Sequence, residues 1–203
     1  MRAPRPGGRR RGRRSPGLFL LRRVTGMQYT SQYQSPLGGI TLASDGECLT
    51  GLWFDGQKYF ADTLEAESGR KDLPVFRLAK RWLDEYFRGR EPGFTPPLRP
   101  AGSPFRLAVW EILKQIPYGE VTTYGEIGRK LAERRGAPAM SAQAVGGAVA
   151  HNPISLIIPC HRVVGSNGSL TGYAGGLDKK LRLLSLEKAD TESLFLPKKG
   201  TAL

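Results

Sequence analysis

The sequence predicts an α+β protein: a small N-terminal α/β domain built on an antiparallel sheet, joined to a mostly helical C-terminal domain that contains a helix-turn-helix. Three observations carry this. From Met27 onward apolar and polar residues alternate between turn signals; a stretch dense in Pro and Gly interrupts the chain at residues 90–103; and beyond it come three helical periods, each opened by its own capping residue. A chain of 203 residues with 39% hydrophobic content can bury a core. No apolar run approaches the roughly 18 residues that a membrane-spanning helix needs, so no membrane partner is expected.

The charge is unevenly spread. The formal net charge is +13, but residues 1–26 hold nine arginines and no acid, leaving 22 basic against 18 acidic residues, a net of +4, in the remainder. That first segment is rich in Arg, Gly and Pro and too poor in apolar residues to fold, so it is read as a disordered basic arm. Three roles compete for it: a phosphate-binding arm, an organellar targeting segment, and a start site assigned too early. The last is preferred because Met27 opens the first strand-like stretch. Two cysteines, Cys48 and Cys160, and two histidines, His151 and His161, are too few for a disulfide framework or a structural zinc site. A reducing, cytoplasmic setting and a protein without metal are expected.

The elements follow in order. MQYTSQYQS, ITLAS and ECLTGLWF alternate as strands around the PLGG and Asp45-Gly46 turns, an antiparallel meander. A helix comes next, with Pro74 in its first turn and Val75, Leu78, Ala79, Trp82 and Tyr86 drawing one apolar stripe. REPGFTPPLRPAGS sustains neither helix nor central strand, which divides the chain into domains at 27–98 and 99–190, with a tail at 191–203. Ser103-Pro104 opens the helix FRLAVWEILKQI, with Phe105, Val109, Ile112 and Ile116 on one face. Thr123 and Glu126 form a capping box for a second helix, which buries Ile127 and Leu131 and stops at Gly136 and Pro138. Ser141 caps a third, from Ala142 to about His151. These last two make a helix-turn-helix shape, which many proteins that never touch DNA also have.

The third helix, AQAVGGAVA, is unusual, because each interior Gly costs about 1 kcal/mol relative to Ala. Small side chains allow close approach, either to a neighbouring helix or into a groove of DNA. After it, NPISLIIP reads as an apolar strand that runs into Cys160, His161 and Arg162. A lone cysteine among apolar residues is ordinarily an inert buried thiol, but flanking His and Arg favour the thiolate, the strongest nucleophile a side chain offers. Cys48, in a strand without basic neighbours, reads as a small buried hydrophobe.

PCHRV, preceded by Asn-Pro and followed by GYAGG, resembles the active-site signature of the O6-alkylguanine-DNA alkyltransferases, the methylated-DNA–protein-cysteine methyltransferases. The similarity is detailed over residues 103–188 and in outline over 27–98. It implies a ribonuclease-H-like N-terminal domain and a winged-helix-like C-terminal one. It also implies a cofactor-free monomer that repairs double-stranded DNA by moving the alkyl group of O6-alkylguanine, with O4-alkylthymine a second candidate, irreversibly onto Cys160. By the resemblance, His161 passes the thiol proton through a water to Glu187, which by composition alone is an ordinary solvated acid. Tyr124 donates to guanine N3, and Asn152 joins the recognition helix to the active-site segment. Tyr173, the backbone of Ala174 and Gly175 and the carbonyls of Cys160 and Val163 hold the extruded base, with Arg162 also on the substrate side. The recognition helix, with Ala142, Gln143 and Gly146, enters the minor groove while the base is flipped. One departure stands out: the family's arginine that fills the vacated space is Gln143 here, neutral and shorter.

Three other readings compete. A non-repairing relative that only binds alkylated DNA carries another residue, typically Trp, in place of Cys160. A cysteine hydrolase needs an oxyanion hole, for which only the bare Cys-His pair speaks. A transcription regulator displays Arg, Lys, Asn or Gln on its recognition helix, whereas this one is mostly Ala and Gly with a single Gln.

Overall fold

The computed structural model describes residues 27–197; the basic arm and residues 198–203 lie outside that range. The expected meander is present as β1 (Gln28–Ser35), β2 (Gly38–Ser44) and β3 (Leu49–Phe54), antiparallel with Tyr33 opposite Ile40 and Thr41 opposite Trp53. A short fourth strand, β4 (Ser68–Arg70), pairs parallel to β1 and gives the order β3-β2-β1-β4. Its three residues, Ser-Gly-Arg, carry no apolar alternation, which is why no sequence pattern marks it.

β3 is buried at all six positions, more than the alternation of a half-exposed strand allows. The reason lies at its outer edge, where two stretches of irregular chain close the hydrogen-bonding row. Leu49 exchanges bonds with Pro97 and Arg99, and Leu52 with Pro153 and Ser155, all four at 2.8 Å. An open edge would invite pairing with another chain, and here the Pro-rich linker and the segment before Cys160 cover it.

α1 (Pro74–Phe87) packs across the sheet with Val75, Phe76, Ala79, Trp82, Leu83 and Tyr86 buried. Leu78, expected in the stripe, is instead 38% exposed. The buried face is centred nearer Ala79 and Leu83, which puts Leu78 on its rim. Cys48 is likewise not in a strand: it lies in the turn before β3, half-buried, where Asp45 Oδ1 accepts from the backbone of Glu47 and Cys48.

In the second half α2 (Pro104–Leu113), α3 (Tyr124–Arg135) and α4 (Ala142–Ala150) pack on one another. Their starts are those the sequence marks. Ser103 and Ser141 accept from the third backbone N–H of their helices, and Thr123 and Glu126 complete the reciprocal capping box. Gly136 ends α3 in the left-handed conformation. Ile116 lies past the end of α2 yet is buried. Two short strands, β5 (Thr122–Thr123) and β6 (Val163–Val164), pair in parallel and hold the start of α3 beside the chain that follows Cys160. α5 (Leu177–Leu186) closes the domain, and beyond it Phe195 exchanges backbone bonds with Gly168 and Leu170.

The segment NPISLIIP is not a strand. Only Ile154 forms a bridge, to Leu52, and the chain then turns, with Leu156 at φ 69°. Asn152 imposes this shape by bonding its side chain to the backbone of Ile154 and Ile158. A large core runs from Leu42, Leu52 and Tyr86 to Val109, Ile127, Ile154 and Cys160, with a smaller cluster of Val164, Leu170 and Leu184 apart from it.

Candidate active site

The C-terminal end of α4 delivers the chain to Asn152, and Asn152 delivers it to the thiol. Its Nδ2 donates to the carbonyl of Ile158 at 2.7 Å and to Cys160 Sγ at 3.1 Å, while its Oδ1 accepts from Ile154 N. Cys160, in a single 3-10 turn with His161 and Arg162, is 3% exposed. Burial raises its pKa; the Asn152 bond, the charge of Lys180 and the backbone N–H groups of Cys160 and His161 act in the opposite direction. The groups favouring the thiolate are therefore not the flanking His and Arg side chains that the sequence suggested.

Both of those side chains turn inward, to Glu187. His161 Nε2 lies 2.7 Å from Glu187 Oε1, and the Arg162 guanidinium donates to both carboxylate oxygens at 2.8 and 3.0 Å and to the carbonyl of Ile116 at 2.6 Å. Arg162, expected on the substrate side, is a buried clamp behind the nucleophile. Glu187, at the C-terminal cap of α5, is 3% exposed and not a solvated acid. It further accepts from the Tyr86 hydroxyl at 2.7 Å and from Gly119 N at 3.2 Å. Gly119 has φ 78°, and a Cβ there would meet the Glu187 carbonyl at 2.9 Å.

Burial lowers the His161 pKa against the pull of Glu187, so the ring is neutral at pH 7. Burial works to raise Glu187, but the bonds from His161 and Arg162 overcome it and hold the carboxyl down at about 2. The permanent positive charge against Glu187 is that of Arg162, which bonds both carboxylate oxygens. A neutral ring that donates from Nε2 to a carboxylate has Nδ1 as an acceptor, and Nδ1 is buried with no partner among the described residues.

A second cluster forms the wall opposite. The Tyr124 hydroxyl donates to the carbonyls of Thr171 (3.0 Å) and Gly172 (3.3 Å), and burial raises its pKa. The Tyr173 ring is edge-on to His161 at 6.3 Å, with its hydroxyl buried and unpartnered among the described residues. Gly175 lets that ring lie against the backbone, since an added Cβ would meet it at 2.6 Å. The Ala174 carbonyl accepts from Lys58 N at 3.0 Å. Lys180 is fully buried and donates to the carbonyls of Val163 and Thr171, so the Val163 carbonyl expected at the base edge already has one partner. Burial brings Lys180 down to about 8.

The cap Ser141 and, on α4, Ala142, Gln143 and Ala144 are exposed, whereas Gly146, expected at the DNA face, is buried. The small position on the open side is Gly147, where a Cβ would meet nothing within 4 Å. Sequence reasoning also missed Tyr86 and Lys180. Lys180 left a trace, standing three and four residues before the buried Leu183 and Leu184 and so on the apolar stripe of α5. Tyr86 left none beyond its place on the stripe of α1. Among the described residues no cluster of three or more His, Cys, Asp or Glu is placed to hold a metal, and no helix is long and apolar enough to cross a membrane.

Comparison with known proteins gives the family. The family model described as "6-O-methylguanine DNA methyltransferase, ribonuclease-like domain" matches residues 28–100, and the one for its DNA binding domain matches 104–189. The methylated-DNA–protein-cysteine methyltransferase of Haemophilus influenzae is 40% identical over 81% of this chain and 88% of its own length, and that of Methanosarcina acetivorans 45% over 78% and 97%. The crystal structure of the Mycobacterium tuberculosis O6-methylguanine methyltransferase superposes with a TM-score of 0.68 at 42% identity, covering 80% of this chain and 93% of that one. A complex of the M. tuberculosis protein with DNA superposes with 0.67. The chain therefore belongs to the family of methylated-DNA–protein-cysteine methyltransferases.

Proposed function

We propose that this protein repairs O6-alkylguanine in double-stranded DNA by a single, irreversible transfer of the alkyl group to Cys160. The observation that carries the reading is the Asn152–Cys160 bond beside a neutral His161 whose Nδ1 is free to accept. In the reaction the S–C bond forms as the O6–C bond breaks. The thiol proton passes to His161 Nδ1, directly or through a water, and the imidazolium that forms is held by the Glu187 carboxylate, which Arg162 and Tyr86 keep ionised. The electron pair left on the guanine is met by a proton from the Tyr124 hydroxyl at N3, and the tyrosinate regains a proton as the one given up by the thiol returns through solvent. The resulting thioether has no leaving group, so each molecule acts once.

Access to the base requires flipping. The exposed Ala142, Gln143 and Ala144 of α4, with the half-buried Gly147, form a low, uncharged face suited to the minor groove, with Gln143 entering the space the base leaves. Tyr173, Ala174 and Gly175 then border the extruded base. The DNA complex of the 42%-identical M. tuberculosis protein supports DNA as the partner. A cytoplasmic place of action is supported by two free cysteines, one of them the reacting thiol.

Cys160→Ala tests the division of labour. The folded variant is expected to bind duplex DNA bearing O6-methylguanine with affinity close to that of the parent and to transfer nothing. Loss of all DNA binding would contradict the assignment of binding to α4 and the pocket walls.

A further inference from the structure

One segment of the N-terminal domain, the turn after β3, reaches both working parts of the site. Gln57 Oε1 accepts from Phe54 N at 3.0 Å and from the Ser155 hydroxyl at 3.3 Å, which ties the turn to the chain between α4 and Cys160. Lys58 N donates to the Ala174 carbonyl at 3.0 Å, on the wall assigned to the base. Tyr59 stacks on His151 with ring centroids 3.8 Å apart and an interplanar angle of 28°, while Asp62 Oδ2 lies 3.2 Å from His151 Nδ1. Lys58 Nζ lies over the other ring of the pair, 5.0 Å from the Tyr59 centroid.

His151 is the C-terminal cap of α4, and the next residue is Asn152, the donor to Cys160 Sγ. Any rotation at the end of α4 therefore moves the thiol's hydrogen-bond donor. The turn also holds two non-glycine residues in the left-handed region, Tyr59 at φ 59° and Ala61 at φ 54°. Such a conformation costs on the order of 1 kcal/mol or more per residue and persists only when surrounding contacts over-determine it. The turn's own backbone bonds, Phe60 N to Gln57 O, Asp62 N to Tyr59 O and Leu64 N to Ala61 O, contribute to this, and the contacts that tie it to the rest of the site are those to Ser155, His151 and Ala174.

We infer that Tyr59 and Asp62 are positioning residues for alkyl transfer: by gripping His151 they fix the end of α4, and with it the Asn152–Cys160 bond, while Lys58 N fixes the base wall in the same frame. The inference rests on Cys160 as acceptor, and its failure is separable from failure of that reading because the unmodified protein serves as the control. If that protein transfers no alkyl group, the functional reading falls. If it transfers and the variants match it, only the positioning role falls.

The test uses Tyr59→Gly, Tyr59→Phe and Asp62→Ala in the full chain. Glycine removes the ring yet accepts the positive φ, so the backbone loses strain, and Asp62→Ala is a surface change that keeps the fold should Tyr59→Gly not. The expected result is a single-turnover rate constant, at saturating substrate, lowered on the order of tenfold in Tyr59→Gly and Asp62→Ala, since small misplacements of reacting groups carry such penalties. The loss should appear with duplex O6-methylguanine and with free O6-benzylguanine alike, and Tyr59→Phe, which keeps the stack, should restore the rate. Affinity for unmodified duplex should stay within about twofold of the parent, as expected of residues that act through His151 and do not touch DNA. Parental rates in folded Tyr59→Gly and Asp62→Ala would overturn the proposal. So would a loss confined to DNA affinity, which would make the turn a DNA-binding element.

Discussion

Glu187 shows how far a residue's role can lie from its local sequence. In DKKLRLLSLEK it is one acid on a basic helix, and composition alone makes it a surface residue. Folding surrounds it with Arg162, His161, Tyr86 and Gly119, four partners drawn from three separate stretches of chain. Its stability linkage follows from the depressed pKa. Relative to 4.5 in the unfolded chain, a folded value of about 2 makes ionisation stabilising above pH 4.5, and that stabilisation is lost as pH falls through 4.5 towards 2. The shift corresponds to about 3 kcal/mol in order of magnitude. Glu187→Gln removes this and strands the Arg162 guanidinium, so urea denaturation should show a loss of about 3–5 kcal/mol at pH 7. The stability of the variant should also fall less steeply than the parent's between about pH 5 and pH 3. Equal stability at pH 7 would mean that Arg162 finds another partner and the clamp is dispensable. Cys160 and His161 could be found from the PCHRV run, whereas Lys180 and Tyr86 could not be assigned a role, because their partners are backbone carbonyls or residues about 100 positions away.

At the scale of elements, legibility tracked the kind of signal. Capping chemistry is local, and it located the starts of α2, α3 and α4 at Ser103, Thr123 and Ser141. Apolar runs were less reliable, since SLIIP has the composition of a strand and yet its shape is set by the Asn152 side chain, a competition that hydrophobicity does not record. β4 was invisible because three residues carry no period. The composition of α4 was legible as a cost, but which glycine uses it required the fold: Gly146 faces the protein and Gly147 faces out. A Cβ at Gly147 would meet nothing within 4 Å, and Gly147→Leu removes a helix-weakening glycine, so the melting temperature should hold or rise, by up to about 1 kcal/mol of stability. If α4 enters a groove, the same variant should lose duplex binding on the order of tenfold or more while reacting normally with free O6-benzylguanine. Gln143→Arg, which adds a charge at the exposed first turn, should keep or raise the duplex rate, and Gln143→Ala should lower it. An unchanged duplex rate in both Gly147→Leu and Gln143→Ala would remove α4 from the interface.

At the scale of the molecule, the sequence divides at its Pro-rich stretch, while the structure binds the halves through a shared core and a shared site. The linker and the segment before Cys160 complete the outer edge of β3, Tyr86 of α1 reaches Glu187 of α5, and the turn at Gln57–Asp62 grips His151 and Ala174. None of these links has a periodic or compositional signature, which is why domain content could be read from the sequence and domain coupling could not. Their common target is a single sulfur. Cys48 offers a contrast: it is half-buried in a turn, burial raises its pKa, and the opposing pull of Arg99 is offset by Asp45 and Glu47. The most direct test is therefore a measurement of intact and peptide mass after the protein is mixed with excess duplex DNA bearing O6-methylguanine. The expected result is one methyl group per protein molecule, found on the peptide containing Cys160, with lesions removed in equal number to protein molecules. A methyl group on Cys48, an unmodified protein, or many lesions removed per molecule would contradict the account.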